Sequence, residues 1–311
     1  MYVQNTIKTQ VSCSGIGLHT GNQVTLTFKP AGIGTGLVFR RIDLENHPTV
    51  KVTSHHVGDT SYATTLGKGA VAIKTVEHVL SAIYALEVTN LLIEIDGNEA
   101  PVIDGSASCF VRMLLEAGID RQAGANTSIQ VQHPLEIRWK DSLISVEPYD
   151  GFKITYTIDF PNPFIGVQTK TLEMTPLTYM QEIAQARTFC LYEEVEHLWK
   201  MGLSKGGSLE NAVVFAQEGI LNESLRYDDE PVRHKILDLI GDLAFLGHPL
   251  FGHIKVYKGG HVLHTKFVQA LLSQPESWIY AAEKGDVEGH STPSLVPAQE
   301  RTASSNHPML V

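Results

Sequence analysis

The period of the hydrophobic positions changes along the chain, and the changes divide it into elements. Val24 to Phe28 alternates apolar and polar residues, as a half-buried strand does, and Leu37 to Phe39 belongs to another. From Thr75 to Leu86 the apolar positions Val76, Val79, Leu80, Ile83 and Leu86 follow the helical period, with Thr75 as N-cap. Leu91 to Ile95 reads as a buried strand ended by Asp96-Gly97, and Ser106 caps a second helix that stops near Gly118. The order then recurs. Ile129 to Gln132, Leu135 to Trp139, Leu143 to Val146 and Lys153 to Ile158 are strand-like. A long helix runs from Pro231 to Leu246, with proline in its first turn and Gly247 just past its end. Ile254 to Tyr257 is a short strand, and Val262 to Leu272 a last helix.

Each half therefore predicts strands, helix, strand, helix, without residue-level identity between the halves. The expectation is an α/β chain of the α+β type. It has two similar domains, each layering helices on a β-sheet, and the active site lies between them. The first domain covers residues 1–124 and the second 125–275, divided in the polar stretch Asp120 to Ser128. Residues 159–215 have no counterpart in the first half and read as an insertion with two helical segments. Residues 276–311, rich in Ser, Pro, Glu and Ala, read as a flexible tail.

Composition narrows the function classes. The chain has 311 residues, 43% of them hydrophobic, as in an ordinary globular protein. A net charge of −10 with no long basic run argues against binding a nucleic-acid backbone. No apolar run approaches the ~20 residues that span a bilayer, and Met1 to Ser14 lacks a signal-peptide pattern. A cytoplasmic protein is expected. Cys13, Cys109 and Cys190 are far apart, with no CxxC pair, so neither a disulfide framework nor a thiolate zinc cluster is expected.

The chemistry concentrates in Arg233 to Asp242. His234 and Asp238 are four apart and share a helix face, and Asp242 is four further on. Imidazole and carboxylate are ordinary zinc ligands, although such a pair is also a common surface hydrogen bond. The first half offers Glu77-His78 on its own first long helix. A metal-ligating histidine beside a carboxylate base is what a metallohydrolase requires, and three protein ligands leave a catalytic position open. Glutamate at a helix start also complements the helix dipole. No HExxH motif is present. A further catalytic histidine among His253, His261 and His264 is not distinguished by spacing.

Several strings carry a resemblance: SGIGLHTG (Ser14 to Gly21), KTVEHVLSA (Lys74 to Ala82), IDGNEAPVIDGSA (Ile95 to Ala107), ARTF (Ala186 to Phe189), VRHKILDLIGDL (Val232 to Leu243) and KGGH (Lys258 to His261). Through them the chain resembles the UDP-3-O-acyl-N-acetylglucosamine deacetylase family of lipid A synthesis, from about Gln4 to Ala270. The resemblance implies a zinc metalloamidase whose ligands are His78, His234 and Asp238, with iron as an alternative metal. It implies Glu77 as general base, His261 as second catalytic group, Asp242 as the carboxylate orienting that histidine, and Thr188 as a hydroxyl at the carbonyl oxygen. Lys235 and Lys258 are implied phosphate contacts, and Asp159 and Phe160 receive uracil. Leu18 and His19 lie near the substrate, and Phe189, Leu191, Val195 and Leu198 line a passage for its fatty chain. Some family members carry a cysteine in the segment that is Asp59 to Thr65 here, where this chain has none. The expected partner is a UDP-linked acylated amino sugar. The apolar end Met309-Leu310-Val311 is expected to be a recognition end for a regulatory protease. A different zinc amidohydrolase and a non-catalytic nucleotide-sugar binder are the rival readings; the second is expected to lack Glu77 or a ligand.

Overall fold

The computed structural model describes residues 3–281. The chain is α+β. Its first sheet has the strand order Val11–Ile16, Gln23–Pro30, Leu91–Ile95, Leu37–Arg41, Thr49–Lys51. The central strand Leu91–Ile95 is antiparallel to Gln23–Pro30 but parallel to Leu37–Arg41. A parallel pair needs a long crossover, and this one contains helix α1 (Glu77–Ala85). Helix α2 (Ser108–Ala117) packs on strand Val11–Ile16 and beside α1.

The second sheet is built alike at its centre. Strands Phe152–Asp159 and Leu250–Tyr257 are parallel neighbours. Their crossover carries α3 (Pro176–Glu182), α4 (Tyr192–Lys200) and α5 (Glu230–Leu243). Val167–Glu173 flanks the pair on one side, and Ser142–Glu147 then Leu135–Trp139 on the other. Ser128–Val131 joins the start of Leu250–Tyr257. Helices α5 and α6 (His261–Leu272) lie on this sheet, and α5 also packs against α1. Every residue of α5 except Lys235 is buried, so its polar side chains are drawn inside with its apolar ones. A Cβ at Gly241 would collide with the Glu77 carbonyl, so glycine lets the two helix backbones approach where their charged residues meet.

Some elements depart from the periodicity reading. Thr75 does not cap α1: its φ is +56°, and its hydroxyl donates to Glu99 Oε1 at 2.9 Å. Ser106 Oγ accepts from the Ser108 amide at 3.2 Å, but the capping position of α2 is Ala107. The polar stretch 120–128 is mostly strand: Ile119–Ala125 pairs with Val3–Ile7 as a two-stranded ribbon, half-buried to exposed along Ile119–Ala125, with Thr6 and Ile7 of the partner strand buried. Part of the expected insertion, Val167–Glu173, belongs to the second sheet, where half-exposure gives it little apolar signal. Residues 276–281, expected in the tail, complete a 3-10 turn and strand Trp278–Ala281 against Ser128–Val131, with Ser277 buried. The rest of the expected tail, 282–311, including Met309-Leu310-Val311, lies outside the described residues. Among those described, no helix is long and apolar enough to cross a membrane.

Candidate metal centre and active site

Helices α1 and α5 bring His78, His234 and Asp238 together, all almost fully buried. Asp238 Oδ1 lies 3.2 Å from His234 Nε2 and 3.8 Å from His78 Nε2. Ligands of a tetrahedral zinc are separated by about 3.3 Å, since each is about 2 Å from the ion. His234 Nδ1 is 3.0 Å from the Ala186 carbonyl. Donating there, the ring is held with Nε2 facing Asp238. Asp238 Oδ1 is buried with no hydrogen-bond partner, because Lys235 Nζ pairs with Oδ2, at 2.7 Å. Burial, then the neighbouring His234, push the His78 pKa down to about 3. Burial opposes the Asp238 anion, but His234 and Lys235 outweigh it and hold this pKa well below the usual range. An anionic oxygen and imidazole lone pairs converging out of water fit a divalent cation.

Glu77 adjoins the cluster. Its Oε2 accepts from the Thr64 amide at 3.0 Å, and its Oε1 lies 3.7 Å from His261 Nε2. Burial raises its pKa to about 7, against the pull of His261. His261 starts α6, with Nε2 also 4.0 Å from Asp238 Oδ2. Its Nδ1 donates to Asp242 Oδ2 at 2.8 Å. Burial lowers its pKa, but Asp242, Asp238 and Glu77 together lift it to about 9. Asp242, His261 and His264 also cluster, but the 2.8 and 2.9 Å contacts of Asp242 Oδ2 with the two Nδ1 atoms are hydrogen bonds.

A cavity of about 560 Å³ opens beside this centre. Leu18, Thr188, Phe189, Val195 and Leu198 line it, with His19, Tyr62 and Cys190. Leu191 does not: it precedes the first turn of α4 and packs against the core opposite Phe215. Phe189 links cavity and centre, since its ring stands edge-on to His234 with centroids 6.4 Å apart. Thr188 is fixed by its amide on the Gly105 carbonyl, 2.8 Å away. Phe160 packs on the other side of Phe189, with centroids 5.4 Å apart. Asp159 and Lys258, both half-buried and not lining the cavity, are paired at 3.1 Å, and Tyr257 Oη donates to Asp159 at 2.9 Å.

One neighbour escaped the sequence reading, and another, His19, was expected near the substrate. Thr64, fully buried, donates its hydroxyl to Asp242 Oδ1 at 2.5 Å while its amide holds Glu77, so one residue touches both groups. His19 is buried with Nε2 unpartnered at the cavity wall. Thr64 stands in a loop without periodicity, so no local signal marks it. His19 lies in the SGIGLHTG string, through which the resemblance placed it beside Leu18 near the substrate.

Comparison with known proteins agrees with this arrangement. The family model for UDP-3-O-acyl N-acetylglycosamine deacetylase matches residues 4–273. A protein of Thioalkalivibrio sulfidiphilus is 43% identical over 281 residues, covering 89% of this chain and 92% of the relative. Relatives in Syntrophotalea carbinolica (40%, covering 95% and 96%) and Histophilus somni (41%, covering 95% and 99%) match at similar levels. All three carry the name UDP-3-O-acyl-N-acetylglucosamine deacetylase. Matched over residues 4–273 and by relatives of 40–43% identity along most of its length, the chain belongs to the UDP-3-O-acyl N-acetylglycosamine deacetylase family.

Proposed function

We propose that the protein is a cytoplasmic, zinc-dependent amidase acting in lipid A biosynthesis. It hydrolyses UDP-3-O-acyl-N-acetylglucosamine to UDP-3-O-acyl-glucosamine and acetate. The observation that carries the reading is the unpartnered Asp238 Oδ1 between two imidazoles, beside a buried carboxylate and a buried histidine. His78, His234 and Asp238 would hold the metal, which supplies Lewis-acid polarisation and acidifies a water.

The chain's own groups then divide the proton work. Glu77 is fixed by the Thr64 amide and kept from water, so its basicity is matched to neutral pH. It takes the proton of the attacking water. His261, held protonated by Asp242, presents its Nε2 proton where negative charge develops on the carbonyl oxygen, and to the leaving nitrogen. The Thr188 hydroxyl assists at the same oxygen. Leu18, Phe189, Val195 and Leu198 surround the fatty chain. Lys258, Asp159 and Phe160 receive the nucleotide at the rim, and Lys235 reaches a phosphate by exchanging its contact with Asp238. Incubating the zinc-loaded protein with UDP-3-O-acyl-N-acetylglucosamine should release one acetate per free amine. No acetate from this substrate, with release from another acylated amine, would replace the substrate assignment while keeping the amidase.

A further inference from the structure

Behind His261, on the side away from the metal ligands, the structure buries a second imidazole. His264 is fully inaccessible, one turn along α6. Its Nδ1 is 2.9 Å from Asp242 Oδ2, the oxygen that also receives His261 Nδ1 at 2.8 Å. Its Nε2 is 3.0 Å from the hydroxyl of Tyr156, which is equally buried on strand Phe152–Asp159. A carboxylate only accepts, so His264 must carry its proton on Nδ1. Nε2 of the neutral ring then accepts the Tyr156 hydroxyl, and each buried polar atom of this row has a partner. The chain Tyr156–His264–Asp242–His261 therefore runs from the second sheet to the catalytic histidine, with Thr64 on the other oxygen of Asp242. Gly259 is part of the arrangement: a Cβ there would collide with the Tyr156 hydroxyl and crowd His264.

We propose that His264 is a positioning residue for the deacetylation: its Nδ1–H fixes the plane of the Asp242 carboxylate, which in turn aims His261 Nε2 at the reacting atoms. The inference rests on the function proposed above. Without the His264 proton, Asp242 keeps Thr64 and His261 but loses the donor opposing rotation about its Cβ–Cγ bond. His261 then samples orientations in which Nε2 leaves the position between Glu77 and Asp238. Partners one step behind a catalytic group usually account for about 10–100-fold in activity.

The experiment compares His264→Asn, His264→Gln and His264→Ala in the zinc-loaded enzyme, alongside wild type, with kcat, KM, bound metal and thermal melting recorded. An asparagine amide nitrogen sits where imidazole Nδ1 sits, one atom beyond Cγ, and can still donate to Asp242. A glutamine amide reaches instead toward the Nε2 position and Tyr156. The Ala and Gln variants should lose about 10–100-fold in kcat, with KM within about twofold and metal at one per chain. Asn should recover most of the loss. Should the Ala protein fail to fold, the Asn–Gln difference decides. Equal losses for Asn and Gln, or a kcat in Ala near wild type, overturn the proposal. Wild type silent on the UDP-sugar overturns the functional reading instead, so the two failures are distinguishable.

Discussion

At the junction of α1 and α5, Glu77, Asp238 and Asp242 face His78, His234 and His261, and no side chain among them is more than a tenth exposed. At the rim, the place that the proposed function gives to the nucleotide, Asp159 faces Lys258 and Tyr257 with each side chain about a third exposed or more. Both places pair acids with bases. At the junction, burial moves Glu77 up and His78 down by units of pKa, and only the exact neighbour decides whether a group is charged. At the rim the hydrogen bonds to Lys258 and Tyr257 lower the Asp159 pKa, while water screens the charges. Charged groups kept dry can do chemistry because their partners are fixed, whereas the rim can only hold and release a ligand. The comparison makes a prediction: substitutions at the junction change kcat or metal content, and substitutions at the rim change KM.

The largest effect is expected at the ligands. His234→Ala or Asp238→Ala leaves an incomplete, buried set, and both bound metal and activity should fall to background. Metal analysis after dialysis against buffer with trace chelator checks this. Tight one-to-one zinc in either variant removes that residue from the ligand set. Next comes Glu77→Gln, which retains size and can still accept from the Thr64 amide but cannot take a proton. Here kcat should drop by roughly 10²–10⁴ with the metal retained. Near-normal turnover would make Glu77 a structural group and leave the junction without a base.

These two sets of residues were legible in the sequence because their relation is local. His234 and Asp238 are four apart on one helix, and Glu77 and His78 are adjacent at the start of another. That the two helices meet is not local: it depends on Gly241 admitting the Glu77 carbonyl, and on two parallel strand pairs whose crossovers both pass through this point. Spacing alone did not choose among three histidines; the resemblance named His261, and the fold supplies the physical reason. His261 Nε2 faces Glu77, His264 lies behind Asp242, and His253 is on strand Leu250–Tyr257, bonded to Glu147 and Thr155 of the two neighbouring strands. The ribbon of Val3–Ile7 and Ile119–Ala125 was missed for a different reason. Polar residues fill most of its positions, among them the buried Thr6, so it has too little apolar alternation to register as strand. Leu191 shows the limit of helical spacing: Val195 and Leu198 reach the cavity from α4, but the chain is still extended at Leu191 and points it to the core.

A smaller effect, visible in a pH profile, separates the junction's own members. On the proposed mechanism activity requires Glu77 ionised and His261 protonated, so it should fall as pH drops through the first pKa and as pH rises through the second. Glu77 stands at about 7 from the protein alone, and a cation on the adjacent ligands pulls it lower, so the acidic limb belongs below neutrality. His261 stands at about 9. After the opposing effect of burial, Asp242 is its largest support, so Asp242→Asn should move the basic limb toward lower pH. The acidic limb and metal content should change little. An unmoved basic limb in active Asp242→Asn would assign that limb to another group.

The smallest effect is expected at the rim, and it is the sharpest check on the contrast. Lys258→Gln removes the charge while keeping most of the side chain, and Asp159→Asn removes its partner's charge. Each leaves a hydrogen-bonding group in place. Lys258 is raised, and Asp159 lowered, chiefly by their mutual hydrogen bond. Either change thus leaves the other charge in water, where it is solvated, rather than stranded in the interior. Metal content and kcat should remain at wild-type values. KM for the UDP-sugar should rise by no more than about tenfold, the worth of one exposed contact, and the rise should shrink as salt is added. Added uridine diphosphate should inhibit the wild type better than Lys258→Gln by a similar factor. If kcat falls instead while KM holds, the rim is coupled to the chemistry through Tyr257 and the strand leading into α6, and the division between a dry reacting centre and a wet binding edge fails.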